Sequence, residues 1–383
     1  MTIISSAAFA DTKAHYDLLD GLRGVAALMV IWYHVFEGFA FAGGGMIETF
    51  NHGYLAVDFF FMLSGFVISY AYDDRWKRNL NIGRFFQRRL IRLHPMVLMG
   101  AAVGAITFCL QGAVQWDGTA ISSPQILLAI LCSMLFIPAL PGLSYEVRGN
   151  GEVFPLNGPS WSLFFEYIGN ILYALLIRRF SKGLLAVWTL LLGIGWWLFA
   201  LGDPSGYGSF GVGWTFDGVV NMGGGLLRML FPFSLGMLLS RHFKPIAIRG
   251  AFWWCSLALV LLFAVPYVEG SSPVCLNGIF EGLCVTILFP LIVWIGASGT
   301  TIDIRSSQVC KFLGDISYPA YMIHYPFMYL FYAWMIDEQI YTLGETWPIV
   351  LCLYVECILF AYLCLKWYDE PLRKWLAKHW LSN

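Results

Sequence analysis

Residues 19–41 read LDGLRGVAALMVIWYHVFEGFAF, an apolar run with Arg23 and His34 inside it. About 20 apolar residues suffice to cross a bilayer as a helix. Arg23 and His34 are eleven residues apart, three helical turns or about 17 Å, so they share one face at different depths. An ionisable side chain in hydrocarbon is costly, and two on one stripe point to a lined pathway inside a bundle. A snorkelling arginine beside a structural histidine accounts for the same pair, so the rest of the chain has to decide.

The chain supplies many more such runs. Of its 383 residues, 58% are hydrophobic and 12% charged, with mean hydropathy +0.67. That composition excludes a soluble globular chain and predicts an all-α, polytopic membrane bundle that has membrane lipid and no nucleic acid as a partner. Nine cysteines are scattered without a CxxC pair and read as small core residues, not as disulfides or a metal site. The first dozen residues lack the basic start and apolar core of a signal peptide, so the first helix is expected to stay. No repeat or low-complexity tract divides the sequence, and residues 1–383 read as one integral membrane domain.

Hydropathy and length predict spans at 19–41, 53–72, 95–111, 160–180, 183–201, 219–240, 251–268, 277–296, 312–335 and 346–368. The loop DDRWKRNLNIGRFFQRRLIRLHP after the second span is the most basic stretch, hence cytoplasmic, and the N-terminus with it. RRFSKG, SRHFKPIAIRG, RSSQVCK and the KWYDEPLRKWLAK tail agree, while DPSGYGSFGVGWTFD, EGSSPVCLNG and DEQIYTLGE hold no Lys or Arg and face out. Residues 124–140, PQILLAILCSMLFIPAL, break the alternation. Counting them as a crossing inverts every later loop, so 112–159 is read as an outward excursion with a re-entrant or interfacial helix roofing a cavity. About ten crossings result, with both ends in the cytoplasm.

Orientation places the polar groups. His34 falls in the outer half of the membrane, about 22 Å from the inner end of its helix. Asp58, Glu166 and His324 come to a similar level on three other spans. Ser162, Glu166, Asn170 and Tyr173 form one polar stripe, and Ser317 and Tyr321 share a face with His324. Arg228 and Glu356 add mid-span charge. Structural pairing explains any one of these residues. Several at one depth favour a site for general acid/base work, a histidine with a carboxylate fixing its tautomer. Asp58 or Glu166 supplies that carboxylate; the sequence does not choose. There is no Gly-x-Ser-x-Gly elbow. At the inner face Arg84, Arg88, Arg89 and Arg92 lie within nine residues. Arginine forks suit phosphate oxygens, although such clusters also set topology or touch anionic lipid. Trp161, Trp214 and Trp347 near span ends read as interface anchors.

At these residues the chain resembles the acyltransferase 3 family of integral membrane proteins. The pieces are LDGLRGVAALMVIWYH, with Arg23 and His34 ten residues between them; VDFFFMLSGF from Val57; RLIR, Arg89 to Arg92, followed by Pro95; NGPSWSLFFEYIGNILY; GDISYPAYMIH, ending at His324; and YDEPLRKWL from Tyr368. They run in family order from about residue 15 to 375. The resemblance implies transfer of an acyl group, acetyl by default, from cytosolic acyl-coenzyme A to a hydroxyl of a carbohydrate or glycolipid acceptor. It implies His34 as catalytic base or transient acyl carrier with Arg23 in support, and Arg89 and Arg92, with Arg88 beside them, at the coenzyme A phosphates. It also implies that Ser160, Trp161, Ser162 and Glu166 line the acceptor or catalytic side. Some relatives append an esterase-like domain outside the membrane; none is expected here, as the sequence ends eight residues after Trp375. Arg23, Tyr321 and Ser162 are candidate donors to the oxyanion formed at the thioester. The competing expectation is a proton-coupled transporter or flippase, which buried His, Glu and Arg suit equally. Oligomeric state leaves no trace in the sequence.

Overall fold

The computed structural model describes residues 15–43, 51–78, 80–140, 144–216, 218–268 and 274–381. The segment read as lacking a signal peptide lies outside these residues. Helices α1 (Asp17–Ala42), α2 (Ala56–Trp76), α3 (Ile82–Leu110), α4 (Ser123–Met134) and α5 (Ser160–Leu175) form the first half. They are followed by α6 (Lys182–Gly202), α7 (Val219–His242), α8 (Ala251–Phe263), α9 (Leu276–Leu283) and α10 (Phe289–Ser298). The chain closes with α11 (Ile304–Glu338), α12 (Leu343–Cys364) and α13 (Glu370–Trp380). The one small sheet described is a two-residue parallel pairing of Ile248–Arg249 with Gly299–Thr300.

Every predicted span contains a helix, but seven helices among the described residues are both long and apolar enough to cross a membrane. Of the other three, α5 has 16 residues and α8 has 13, roughly 24 and 20 Å against a hydrocarbon core of about 30 Å. The third, α11, has 35 residues but carries Asp315, His324, Pro319 and Pro326. The segment expected at 124–140 holds the 12-residue α4, roughly 18 Å long and too short to cross. It starts at a capping box in which Gln125 accepts from the Ser122 backbone N–H at 3.1 Å.

The basic stretch after α2 is mostly not a loop. Helix α2 runs on to Trp76 and α3 begins at Ile82, where the Asn81 side chain caps it by accepting from Arg84 N at 2.8 Å. Arg88, Arg89 and Arg92 therefore ride on the first turns of α3. Hydropathy windows end at charged residues, whereas a helix continues while its charges find partners in a lined interior.

Two helix pairs set the frame, and both use glycine for close approach. A Cβ on Gly65 of α2 would lie 1.9 Å from the Phe233 carbonyl of α7, and one on Gly236 would lie 2.1 Å from the Met62 carbonyl. In α1, a Cβ on Gly24 would lie 2.2 Å from the Leu313 carbonyl of α11. Small residues let membrane helices pack backbone to backbone. The α1–α11 seam thereby holds Arg23 against Ser317 and His34 against His324. Gly65→Ala is expected to cost about 2 kcal/mol of stability through overpacking, read as an earlier heat-denaturation midpoint in detergent. Gly183→Ala, where the added methyl meets open space, is the control that leaves the midpoint in place.

Prolines open the middle of α11. Pro326 has no N–H to bond the Met322 carbonyl, and the Asn157 amide donates to that carbonyl at 2.8 Å. The segment before α5 is thereby pinned to the helix that carries His324. Two loops roof this region. Val153 N donates to Trp214 O at 2.9 Å, and Ala139 N donates to Val153 O at 2.8 Å. Backbone polar groups away from water need such partners.

Candidate active site

Two cavities lie along the α1–α11 seam. The smaller, about 100 Å³, is lined by Asp20 and Arg23 of α1, Arg89 and Arg92 of α3, Glu166 of α5 and Ser317 of α11, among others. Arg23 Nε donates to Ser317 Oγ at 2.9 Å, and its Nη2 lies 2.9 Å from Asp20. Arg89 Nη2 donates to Glu166 Oε1 at 2.7 Å, and the same oxygen accepts from Ser64 Oγ at 2.7 Å. Arg89 Nε is buried with no partner among the described residues. An unpaired buried guanidinium N–H costs free energy, and a phosphate or carbonyl oxygen in this cavity relieves that cost.

The larger cavity, about 330 Å³, opens around His34. His34 Nδ1 donates to Glu37 Oε2 at 2.6 Å, which in the neutral imidazole leaves the lone pair on Nε2. Glu37 is the next residue but two on the same helix, and its Oε2 also accepts from the Tyr325 and Tyr332 hydroxyls at 3.2 Å each. His324 stacks on His34 with ring centroids 5.3 Å apart and an interplanar angle of 29°. Its Nδ1 donates to the Ala320 and Tyr321 carbonyls at 3.1 and 2.9 Å, so its Nε2 carries the lone pair as well. That Nε2 is buried and unpartnered among the described residues. Tyr325 meets the His34 ring edge-on at 4.6 Å. The imidazole is thus held from three sides, by Glu37, His324 and Tyr325.

The cavities share two lining residues, Val57 and Tyr321. The Tyr321 hydroxyl is 2.6 Å from Ser162 Oγ, and its ring meets Phe60 edge-on. Tyr321 and Val57 form the partition between an arginine-lined space and a histidine-lined space. A buried ion pair stands behind the larger cavity. Arg228 Nη2 and Nε reach Asp58 Oδ2 at 2.8 and 3.1 Å, and Nη2 also donates to the Tyr54 carbonyl at 2.9 Å. Trp161 lies with its ring 5.3 Å from the same guanidinium.

Comparison with known proteins bears on this arrangement. Residues 16–366 match the family of the acyltransferase domain, type 3. The chain belongs to the acyltransferase 3 family. It is 34% identical over 164 residues to protein 2 of the picA locus of Rhizobium radiobacter, covering 41% of this chain and 80% of that one. It is 27% identical over 375 residues to a Bacillus subtilis protein provisionally named as a peptidoglycan O-acetyltransferase, YrhL, covering 93% of this chain and 54% of the relative. With the peptidoglycan O-acetyltransferase OatA of Listeria monocytogenes it shares 35% identity over 97 residues, 25% of this chain and 14% of OatA. The chain thus spans about half of YrhL and a smaller part of OatA. No solved structure matches.

Within this acyltransferase 3 fold the expected site residues divide between the two cavities. Arg23, Arg89, Arg92, Glu166 and Ser162 line the arginine side, while His34 and Trp161 line the histidine side and Tyr321 touches both. Glu166, expected at the level of the histidines, is instead the partner of Arg89. Asp58, the other carboxylate expected beside His34, is bound to Arg228. Arg23 reaches Ser317 and Asp20 rather than His34. Asp58, His324, Arg88 and Ser160 are not among the lining residues of either cavity. Of the expected interface anchors, Trp214 lines the larger cavity and Trp347 is 60% exposed.

Sequence reasoning missed Glu37, Tyr325 and Tyr332, although the His34–Glu37 spacing of three on one helix is a legible signal. It also missed Glu152, which lines the larger cavity from the roof and accepts from Asn150 Nδ2 at 2.9 Å and from the Tyr329 hydroxyl. Burial pushes the Glu152 carboxyl up to about 7, against the pull of Tyr329 and Arg148.

Proposed function

We propose that the chain transfers an acyl group, acetyl in the first instance, from a cytosolic acyl-coenzyme A to a hydroxyl of a carbohydrate acceptor across the membrane. The observation that carries this is the shared partition: an arginine-lined cavity and a cavity with an oriented imidazole meet at Tyr321 and Val57. Relatives named for peptidoglycan O-acetylation support a carbohydrate acceptor. The basic residues of alternate loops support a plasma-membrane protein of a bacterium with both ends in the cytoplasm.

Arg89 and Arg92 bind donor phosphate or the polar arm, which leaves the nucleotide outside hydrocarbon. The thioester meets the acceptor hydroxyl near Tyr321. His34 Nε2 takes the hydroxyl proton as the oxygen attacks the acyl carbon. The C–S bond breaks, the new ester C–O bond forms, and the thiolate leaves to be protonated as free thiol. Glu37 stabilises the imidazolium during this exchange. Ser162 and Tyr321 hydroxyls supply donors to the developing oxyanion.

Full-length protein in nanodiscs, given acetyl-coenzyme A and an envelope glycan fraction, is expected to release free thiol in an acceptor-dependent way and to yield an acetylated glycan by mass spectrometry. Neither product forming would end the proposal. Arg89→Ala is expected to raise the apparent donor KM about tenfold with a smaller change in kcat. An unchanged donor dependence would return the cluster to topology and lipid binding.

A further inference from the structure

One mid-span acid plays no part in the transfer step. Glu356 lies thirteen residues after Leu343 and eight before Cys364 on α12, about 20 and 12 Å from the two ends, so it stands deep in the hydrocarbon. The core side of this helix is Val350, Leu353 and Cys357. Glu356 is exposed and has no hydrogen bond or ion pair among the described residues. It sits in the wall of an apolar groove of about 580 Å³ on the lipid-facing surface. Ile106 and Leu110 of α3, Phe331 and Trp334 of α11, and Ile349 and Phe360 of α12 line the groove. Phe327 meets Phe360 edge-on at 5.5 Å at its inner end. Thr107 also lines it, but its hydroxyl is spent on the Gly104 carbonyl at 3.1 Å. The groove lies across α11 from the histidine cavity, which Tyr325, Tyr329 and Tyr332 line.

A carboxyl with no partner in hydrocarbon is costly, and lipid tails bring no donor to that depth. The mid-span guanidinium of this chain, Arg228, is buried on Asp58, so a second copy offers Glu356 no cation. It offers a second carboxyl instead. A two-fold axis along the membrane normal sets each residue opposite its own copy at one depth. With that axis beside α12, Glu356 meets its counterpart, and a proton held on either carboxyl is donated to an oxygen of the other. Interhelical hydrogen bonds of this kind join membrane helices. The shape of the surface agrees. Leu351, Val355 and Leu359 stand one turn apart, each more than half exposed, as a ridge alongside the groove. Under the two-fold, the ridge of each copy enters the groove of the other, the self-complementary contact of an isologous interface. We infer that the chain dimerises through α12, with the two Glu356 side chains paired at the centre. The interface is remote from the His34 chemistry and does not rest on the acyl-transfer reading.

Cys352, exposed and one turn before Glu356, lines the same groove and serves as a built-in reporter. Cys109→Ser removes the other exposed cysteine among the described residues. Membranes holding that full-length variant are treated with copper phenanthroline. The expected result is a disulfide-linked dimer on a non-reducing gel, which Cys352→Ser abolishes. Single-molecule photobleaching in vesicles across a lipid dilution series gives the association strength. Glu356→Leu is expected to weaken it about tenfold, the reach of an interhelical hydrogen bond in lipid, with the heat-denaturation midpoint kept. Glu356→Gln, whose amide donates and accepts as a protonated carboxyl does, is expected to keep the dimer. Val355→Trp, which enlarges the ridge and leaves the carboxyl in place, is expected to lower cross-linking. One-step bleaching of the unaltered protein, or association indifferent to Glu356→Leu, would overturn the interface. So would a single chain carrying a lipid that Glu356→Leu loses in native mass spectrometry, or cross-linking of Cys352 to a different protein; either outcome assigns the groove to that occupant.

Discussion

His34→Ala is expected to lower kcat/KM for acyl transfer by about 10³-fold, the usual worth of a positioned general base, with expression and heat stability kept. The side chain lines a cavity instead of filling the core, so its removal leaves little void. The bonds around it explain the size of the effect. Glu37 accepts from Nδ1 at 2.6 Å, which fixes the tautomer and aims the Nε2 lone pair into the cavity. Glu37→Gln keeps an oxygen at that position but removes the charge that stabilises the imidazolium, so a loss of about 10²-fold is expected. The order of the two variants is itself diagnostic. If Glu37→Gln were as active as the unaltered chain while His34→Ala was dead, the carboxylate would be a packing residue. Unimpaired transfer by His34→Ala would remove the histidine from the chemistry altogether. Initial rates of thiol release, paired with mass spectrometry of the product, read both outcomes.

Arg228→Met is expected to destabilise the fold by about 4 kcal/mol, because it leaves a buried carboxylate uncompensated. Asp58 is fully buried and receives the guanidinium through both oxygens, while the Tyr54 carbonyl depends on the same Nη2. The Val212 carbonyl accepts from Nη1 at 3.4 Å, so removing the cation takes a donor from four acceptor oxygens at once. The double variant Arg228→Met with Asp58→Leu is expected to recover much of the loss, since an apolar pair of similar size needs no desolvation of charge. The fraction of monodisperse protein surviving a heat series in detergent measures this. A single variant as stable as the starting protein would show that water or lipid reaches Asp58, contrary to its burial. Activity should fall with stability, because Arg228 and Tyr54 also line the His34 cavity.

Much of this was legible before any coordinates. The apolar runs determine a helical membrane protein, because a backbone in hydrocarbon must satisfy its own hydrogen bonds and a helix does so within one segment. Helical rise alone puts Arg23 and His34 on one face about 17 Å apart, and they line the two neighbouring cavities. Of the four arginines clustered at 84–92, Arg89 and Arg92, the two the family resemblance pointed to, line the smaller cavity, and Arg84 and Arg88 do not. Spacing along a single helix is a local property, and it survives folding; level relative to other helices is not, since Glu166, expected level with His34, pairs with Arg89 in the cavity of Arg23.

Partnership is not local. Glu166 and Asp58 were placed near His34 by depth, but which neighbour each one faces depends on the rotation of its helix about its own axis. That rotation is set where backbones touch, at Gly65 with Phe233, Gly236 with Met62 and Gly24 with Leu313. These contacts turn Asp58 to Arg228 and join Arg23 to Ser317, and the packed bundle leaves Glu37 as the acid on His34. The roof is further still from sequence patterns, since Glu152 meets Thr215 across a separation of 63 residues and carries no periodicity to betray it. The chain alone thus settles what is apolar and where charge sits along each helix. Only packing, through a few glycines and the backbone bonds of two loops, settles which charges meet.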